Sequence, residues 1–491
     1  MHHLKKAREL VAQMTLLEKA SLCSGKDFWY LKSIDRLGLP SIMVTDGPHG
    51  LRKQLSSSED LGISENFPAV CFPTACALAC SFDRELLREV GSTIGEECRQ
   101  EEVAVLLGPG INIKRSPLCG RNFEYYSEDP HLSGHLAAAF IDGVQSQGVG
   151  TSLKHYAANN QEKRRLTVDA VMDERTFREI YLAGFECAIK LVQPWSVMCS
   201  YNRVFGEHAS QNERLLTSIL RNEWGFKGLV VSDWGAVVDR VKGLTTGLDL
   251  EMPHLGTAHD DRIAQAVKDG IIAVEVLDRA AQRVTELILR AQDRKPYKYN
   301  IKKHRAIARR AAARSAVLLK NEGNLLPGSP GGRAAVIGAF ARIPRYQGTG
   351  SSRITPIQVD NACDELNAMG LEFEYAEGYR EESDLPDETL IAEACRVAAG
   401  KDVVYIFAGL PDRYEAETFD RENLAMPQSH NNLIEAVSRV NENVVVILYC
   451  GGVVELPWAD KVKAILLMHL GGEAVSGAVA DLLLGKANPT G

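Results

Sequence analysis

The stretch Val230-Val231-Ser232-Asp233-Trp234-Gly235 decides how the first half of the chain is read. A short β-branched run, consistent with a buried strand, delivers one carboxylate to its C-terminal end, and a large aromatic ring and a glycine follow at once. That is how a fold presents a fixed acidic group to a pocket. A single Asp after a strand is more often a helix N-cap or a salt-bridge partner. Whether Asp233 is more than that depends on what the other strand ends carry.

Working outward, similar short apolar runs at 41–45, 103–107, 151–153, 196–199 and 248–250 alternate with amphipathic helical patterns to about residue 290. The clearest helical pattern takes Asp173 as its N-cap and places Phe177, Ile180, Tyr181, Phe185, Ala188 and Ile189 on one stripe of period 3.6. Such alternation predicts a mostly parallel sheet, and its length suits an N-terminal (β/α)8 TIM-like barrel. Asp46 follows the first run, Lys154 and His155 the third, Tyr201 the fourth, Asp233 the fifth and Glu251 the sixth. In a parallel barrel these ends converge on one face, where the sites of such barrels sit.

Residues 260–290 read as one or two further helices with a break at Gly270. Residues 291–305, rich in Lys, Arg and Asp and containing Pro296, read as a linker. Strand candidates at 334–337, 403–407, 444–449 and 464–468, with helical patterns at 389–399 and 429–441, then predict a smaller doubly wound α/β sandwich. The expected organisation is therefore a barrel over 1–290, a linker over 291–305 and an α/β domain over 306–491.

At 491 residues the chain is too long for one ordinary domain, and 45% hydrophobic with 24% charged residues is the composition of a soluble globular protein. A net charge of −8 without any basic stripe excludes a nucleic-acid partner. No apolar run approaches a membrane span, and residues 1–22 alternate charged and apolar positions without the core of a secretion signal. The eleven cysteines are odd in number and scattered, often within apolar segments as at Cys199 and Cys450, which fits reduced thiols in a cytoplasmic protein. Cys76 and Cys80 have no matching pair, and His49, His155 and His254 lack metal-ligand spacing, so neither a metal nor another cofactor is expected. Homo-oligomerisation is left open.

The run Gly348-Thr349-Gly350-Ser351-Ser352 lacks the lysine and following helix of a phosphate cradle and reads as a glycine-rich surface loop. No Gly-x-Ser-x-Gly elbow is present, which disfavours a serine hydrolase. Asp412, Glu415, Glu417 and Asp420 crowd the loop after the 403–407 strand; alone they would be a solvated loop. With Asp233 in the other domain they suggest one carboxylate from each domain facing across a cleft. Glycosidic bond cleavage needs such a pair, one to attack the anomeric carbon and one to protonate the leaving oxygen.

With these residues in view, the chain resembles the family 3 glycoside hydrolases, particularly their bacterial β-glucosidases, over nearly its whole length. The resemblance rests on Thr45-Asp46-Gly47-Pro48-His49-Gly50-Leu51-Arg52, Gly120-Arg121-Asn122-Phe123-Glu124, Ser127-Glu128-Asp129-Pro130, Lys154-His155-Tyr156-Ala157-Ala158-Asn159-Asn160, Met198 to Asn202, Ser232-Asp233-Trp234, Glu417 to Arg421 and Leu424 to Pro427. It implies a retaining mechanism with Asp233 as nucleophile and carboxylates roughly 5 to 5.5 Å apart. It aligns Asp46, Arg121, Lys154, His155 and Tyr201 with residues that hydrogen-bond the non-reducing sugar. Trp234 and Met198 would wall the pocket, although core packing is open as an alternative for these two and for Tyr201. Arg52 and Glu124 would brace loops through ion pairs. Glu417, three residues before Asp420-Arg421, matches the acid/base position, with Glu415 as fallback, and family members commonly carry glycine where Thr418 stands.

The chain end is a further departure from the family, and one absent segment argues against amino-sugar specificity. In the family, residues 488–491 would lead into a segment completing the second domain, so the chain reads as a fragment or as a form without those parts. The glycine-rich histidine segment of the family's N-acetylglucosaminidases is absent after Lys154-His155. The expected function is an exo-acting, metal-independent β-glucosidase acting on short oligosaccharides or aryl and alkyl glucosides. The rivals are a β-xylosidase or dual-specificity glycosidase and, from another class, a sugar-binding relative without turnover.

Overall fold

The structure, a computed structural model, describes residues 2–54, 66–254 and 256–491. The chain forms two compact units. One takes in Met1–Phe67, Arg84–Ile113 and Ser127–Tyr299, the other Pro68–Asp83, Lys114–Tyr126 and Asn300–Gly491.

In the first unit β1 (Met43–Asp46), β2 (Val103–Leu107), β3 (Gly150–Tyr156), β4 (Ser196–Cys199) and β5 (Leu229–Ser232) pair in that order, all parallel. Every residue of these strands is buried, which is why they read as short apolar runs and not as alternating patterns. Single bridges carry the sheet onward from Val231 to Leu250, from Glu251 to Ser24, from Gly25 to Leu31 and from Tyr30 back to Met43 of β1. The unit is thus a TIM-like barrel. Its sixth expected strand is reduced to bridges, and its last gap is filled by an N-terminal hairpin whose return leg runs antiparallel to β1.

Around the barrel, α1 (Arg84–Gln100) packs on α2 (Pro130–Ser146), and α3 (Ala258–Lys268) is separated from α4 (Val274–Gln292) by the turn at Gly270. The Asp173 cap forms as the pattern requires, its carboxylate accepting from the Thr176 amide at 2.9 Å. The helical stretch behind it is π-helical over Phe177–Leu182 before continuing as α-helix to Val192.

The second unit is built on β6 (Val317–Asn321), β7 (Ala334–Ile337), β8 (Phe373–Ala376), β9 (Val403–Gly409), β10 (Val444–Tyr449) and β11 (Ala464–Leu467). Their order is β8-β7-β9-β10-β11-β6, with only the β11–β6 pair antiparallel. Helices α5 (Ile301–Ser315), α6 (Ala362–Ala368) and α9 (Val475–Leu483) pack as one group, and α7 (Glu388–Ala398) and α8 (Gln428–Val440) as another, giving the α/β sandwich. The central strands are wholly buried and supply Tyr405, Phe407 and Tyr449 to the core.

The observed division differs from the sequence expectation in two places. Residues 301–305, read as linker, are the first turn of α5, where Asn300 caps the Lys303 amide at 3.2 Å. Pro68–Asp83 and Lys114–Tyr126, read as barrel, belong to the second unit. The amide of Ala69 donates to the Thr355 carbonyl at 3.0 Å, that of Cys71 donates to the Glu473 carboxylate at 3.2 Å, and Phe72 and Phe123 are buried there. These contacts join residues hundreds of positions apart and leave no periodicity in the local sequence.

Candidate active site

Two groups of side chains, one in each unit, gather the residues singled out in the sequence. In the barrel, β1 ends on Asp46 and β3 carries Lys154 and His155. Lys154 donates from Nζ to Asp46 Oδ1 at 3.1 Å, while Arg52 Nη1 lies 3.6 Å from Asp46 Oδ2. Lys154 is almost fully buried. Two cations thus face one carboxylate, whose oxygens are acceptors suited to hydroxyl groups of a ligand.

His155 turns toward Asp233, with Nε2 at 3.7 Å from Oδ2. Asn112 fixes it: the Asn112 amide donates to the His155 carbonyl at 2.9 Å, its Oδ1 accepts from the His155 amide at 3.0 Å, and Nδ1 lies 3.2 Å from the same Oδ1. Asp233 stands one residue beyond β5. Its amide donates to the Cys199 carbonyl at 3.1 Å, and Oδ1 accepts from the Trp234 amide at 2.8 Å. The carboxylate is therefore held by backbone at Oδ1, and an imidazole faces Oδ2. Burial pushes the neighbouring Cys199 thiol up to about 12, so it stays neutral beside this carboxylate.

Tyr201 donates its hydroxyl to the Trp234 carbonyl at 3.0 Å, and its ring lies under the Arg165 guanidinium at 4.9 Å. Trp234 donates from Nε1 to the Phe28 carbonyl at 2.9 Å and packs at a tilt on Trp29, with centroids 5.6 Å apart. Met198 is buried in β4 opposite Val231. Asp46, Lys154, His155, Asp233, Tyr201 and Trp234 thus form a connected group at the C-terminal strand ends, the face expected of a barrel site. Glu251 is engaged elsewhere, accepting from His259 Nδ1 at 2.8 Å and facing Arg240 at 3.6 Å. Asn112 and Trp29 were not anticipated. Neither has a chemistry of its own to mark it; both act through neighbours.

In the second unit the group is Arg121, Glu124 and the loop after β9. Arg121 and Glu124 form a bidentate pair at 2.8 and 2.9 Å, both side chains 1% exposed. Arg121 Nη1 also lies 3.5 Å from Glu417 Oε1. The Ser351 amide donates to Glu417 Oε2 at 2.8 Å, and the Glu417 amide donates to the Thr349 carbonyl at 3.1 Å. Glu417 keeps a 12% exposed side chain, whereas Glu415 is buried, accepts from the Gly451 amide at 2.8 Å, and has its carboxyl raised above the usual range by burial. The run 348–352, read from sequence as a plain surface loop, is in fact the seat of Glu417. At Gly350, with φ of 116°, a Cβ would stand 2.4 Å from that of Glu417. Thr418 has φ of 95°, in the left-handed region where a β-branched residue is rare and glycine is at ease.

The comparisons with known proteins fit this geometry. Residues 30–287 match the glycosyl hydrolase family 3 N-terminal domain and residues 316–491 the glycosyl hydrolase family 3 C-terminal domain. The chain belongs to glycosyl hydrolase family 3. Over 99% of its length it is 55% identical to thermostable beta-glucosidase B of Acetivibrio thermocellus, and over 98% it is 48% identical to an exo-alpha-(1->6)-L-arabinopyranosidase of Bifidobacterium longum. It spans 65% of the length of each of these family 3 relatives. The crystal structure of the family 3 beta-glucosidase of Bifidobacterium adolescentis superposes with a TM-score of 0.93 at 49% identity, over 98% of this chain and 69% of that one.

Proposed function

We propose that the protein is a retaining β-glucosidase that releases terminal, non-reducing β-D-glucosyl units from oligosaccharides or simple glycosides. The observation that carries the reading is Asp233: a carboxylate at a barrel strand end, held by the Trp234 amide and faced by His155, in a chain of this family. Asp233 attacks the anomeric carbon as Glu417 gives its proton to the leaving oxygen, so the C–O bond to the aglycone breaks and an ester to Asp233 forms. Glu417, now a carboxylate, takes a proton from water, the water oxygen attacks the same carbon, and Asp233 leaves. Asp46 accepts from sugar hydroxyls and Lys154, His155, Arg121 and Tyr201 donate to or line the sugar, with Trp234 and Met198 as walls. The cytoplasmic setting is supported by eleven cysteines distributed through apolar segments.

The test is intact-mass analysis after incubation with an activated 2-deoxy-2-fluoro-β-glucoside. A covalent adduct that maps to the peptide containing Asp233 is expected, and Asp233→Ala abolishes it; an intact enzyme population that never gains the sugar mass overturns the reading in favour of a sugar-binding protein. A second sugar specificity is favoured by the 48% identical relative named as an arabinopyranosidase, whose pentopyranose lacks the exocyclic hydroxymethyl of glucose. Comparing aryl β-glucoside, β-xyloside and α-L-arabinopyranoside on one preparation separates these specificities.

A further inference from the structure

We propose that Glu415 is a positioning residue for Glu417, an anchor that holds the acid/base loop in the conformation from which it donates its proton. The inference rests on the reading of Glu417 as acid/base given above. It concerns a carboxylate that does none of the chemistry itself.

The loop after β9 is held from both sides of Glu415. The Glu415 side chain, 3% exposed, accepts from the Gly451 amide at 2.8 Å, and its second oxygen lies 3.9 Å from Arg345 Nη2. Arg345 is itself fixed, donating to the Leu410 carbonyl at 3.1 Å and pairing with Asp412 at 3.0 Å, so the one guanidinium holds the loop at two places and presents its charge to Glu415. Gly451 and Gly452 leave room for this approach: added Cβ atoms there would stand 3.1 and 3.4 Å from Glu415 Oε1. On the backbone side, the Glu415 carbonyl accepts from the amide and the hydroxyl of Thr349, at 3.4 and 3.2 Å.

That anchor is connected to Glu417 by a short ladder. Thr349 bridges Ala416 in parallel register, its carbonyl accepts from the Glu417 amide at 3.1 Å, and two residues later the Ser351 amide donates to Glu417 Oε2. Glu415 and Glu417 are alternate residues of an extended segment, Glu415 having φ of −134°. What fixes Glu415 therefore fixes the strand phase in which Glu417 projects. The next residue, Thr418, sits at φ of 95°, a backbone state with a standing tendency to relax. An anchored residue three positions back is what opposes that relaxation at Glu417. The Glu415 side chain is 3% exposed behind Gly451 and Gly452, against 12% for Glu417, which favours Glu417 as the proton donor.

The experiment compares Glu415→Gln, Glu415→Ala and Glu417→Ala on two glucosides, one with a dinitrophenyl leaving group that needs little protonation and one with an alkyl leaving group that needs it. Functional sites are counted by fluoroglucoside titration, so that a poorly folded fraction does not enter kcat. A misplaced acid costs about 10²-fold in kcat/KM on the alkyl glucoside and leaves kcat/KM on the dinitrophenyl glucoside near the parent value. Glu415→Gln, which keeps an acceptor for Gly451, is expected to lose less than Glu415→Ala. Equal losses on the two substrates mean general structural damage and overturn the proposal, as does full alkyl-glucoside activity in Glu415→Ala. If Glu415→Ala does not fold, Glu415→Gln decides by the same comparison. Glu417→Ala without leaving-group dependence overturns the acid/base reading itself, and is told apart from failure of the Glu415 proposal alone because only the latter leaves the Glu417→Ala pattern intact.

Discussion

At Thr418 a branched side chain stands in a backbone state that glycine adopts without penalty. The left-handed conformation costs roughly 1–3 kcal/mol for such a residue, while glycine loses up to about 1 kcal/mol through its freer unfolded chain. Thr418→Gly is therefore expected to stabilise the protein by about 1 kcal/mol, read as a shift of the urea midpoint at unchanged slope; a destabilised variant would show that the Thr418 side chain contributes more than its backbone costs. Asp46 is the opposite case. It faces Lys154 and Arg52, and Lys154 is buried, so removing its charge takes from an interior cation a carboxylate 3.1 Å away. Asp46→Asn is expected to cost on the order of 3 kcal/mol and to raise KM for the glycoside. Unchanged stability in urea would mean that Lys154 finds another partner.

At the scale of elements, the loop after β9 is seated against two others through glycines. An added Cβ at Gly120 would lie 1.8 Å from the Phe419 carbonyl oxygen, and at Gly350 it would meet the Cβ of Glu417. Gly350→Ala must push Glu417 aside by about 1 Å, and a loss near 10²-fold in kcat/KM on alkyl glucosides is expected, with kcat/KM on dinitrophenyl glucosides far less affected. Parent values on both would show that the 348–352 loop yields instead of Glu417. This seating is also where the sequence was least legible. Buried strands such as β7 and β10 announce themselves as β-branched runs, and Asp173 announces a cap by position. The loop 348–352 has no signal of its own, because its partner lies 66 residues away. The half-exposed edge strands β6 and β8 blur the apolar pattern for a different reason, since an edge strand packs on one side only. Of the candidate residues, those that carry charge and stand at strand ends are grouped by the strand pattern itself; Asn112, which hydrogen-bonds His155, carries no such signal.

At the scale of the whole chain, two imidazoles sealed in the second unit make stability depend on pH below 6.5. Burial lowers both His430 and His469 from the usual 6.5 to about 3, helped by Arg413 at His430 and by Lys114 at His469. His430 accepts from the Gly409 amide at 3.2 Å and packs on Tyr379 with centroids 3.8 Å apart, so protonation would break a bond that ends β9. As pH falls below 6.5 the unfolded chain takes up these protons and the folded chain does not, so the contribution of the two histidines is full above 6.5 and declines continuously down to about 3. At pH 5 each histidine accounts for about 2 kcal/mol of the loss. Glu415, whose carboxyl is raised by burial, works in the opposite sense, favouring the folded chain as pH falls through its own titration. Asparagine offers an acceptor in place of His430 Nδ1 and tolerates the left-handed backbone at residue 469, where φ is 54°. The double variant His430→Asn, His469→Asn is expected to be less stable at pH 7 from lost packing, yet to lose much less between pH 6.5 and 5 than the parent. Urea titrations at a series of pH values measure both slopes, and parallel slopes would place the acid sensitivity in other groups.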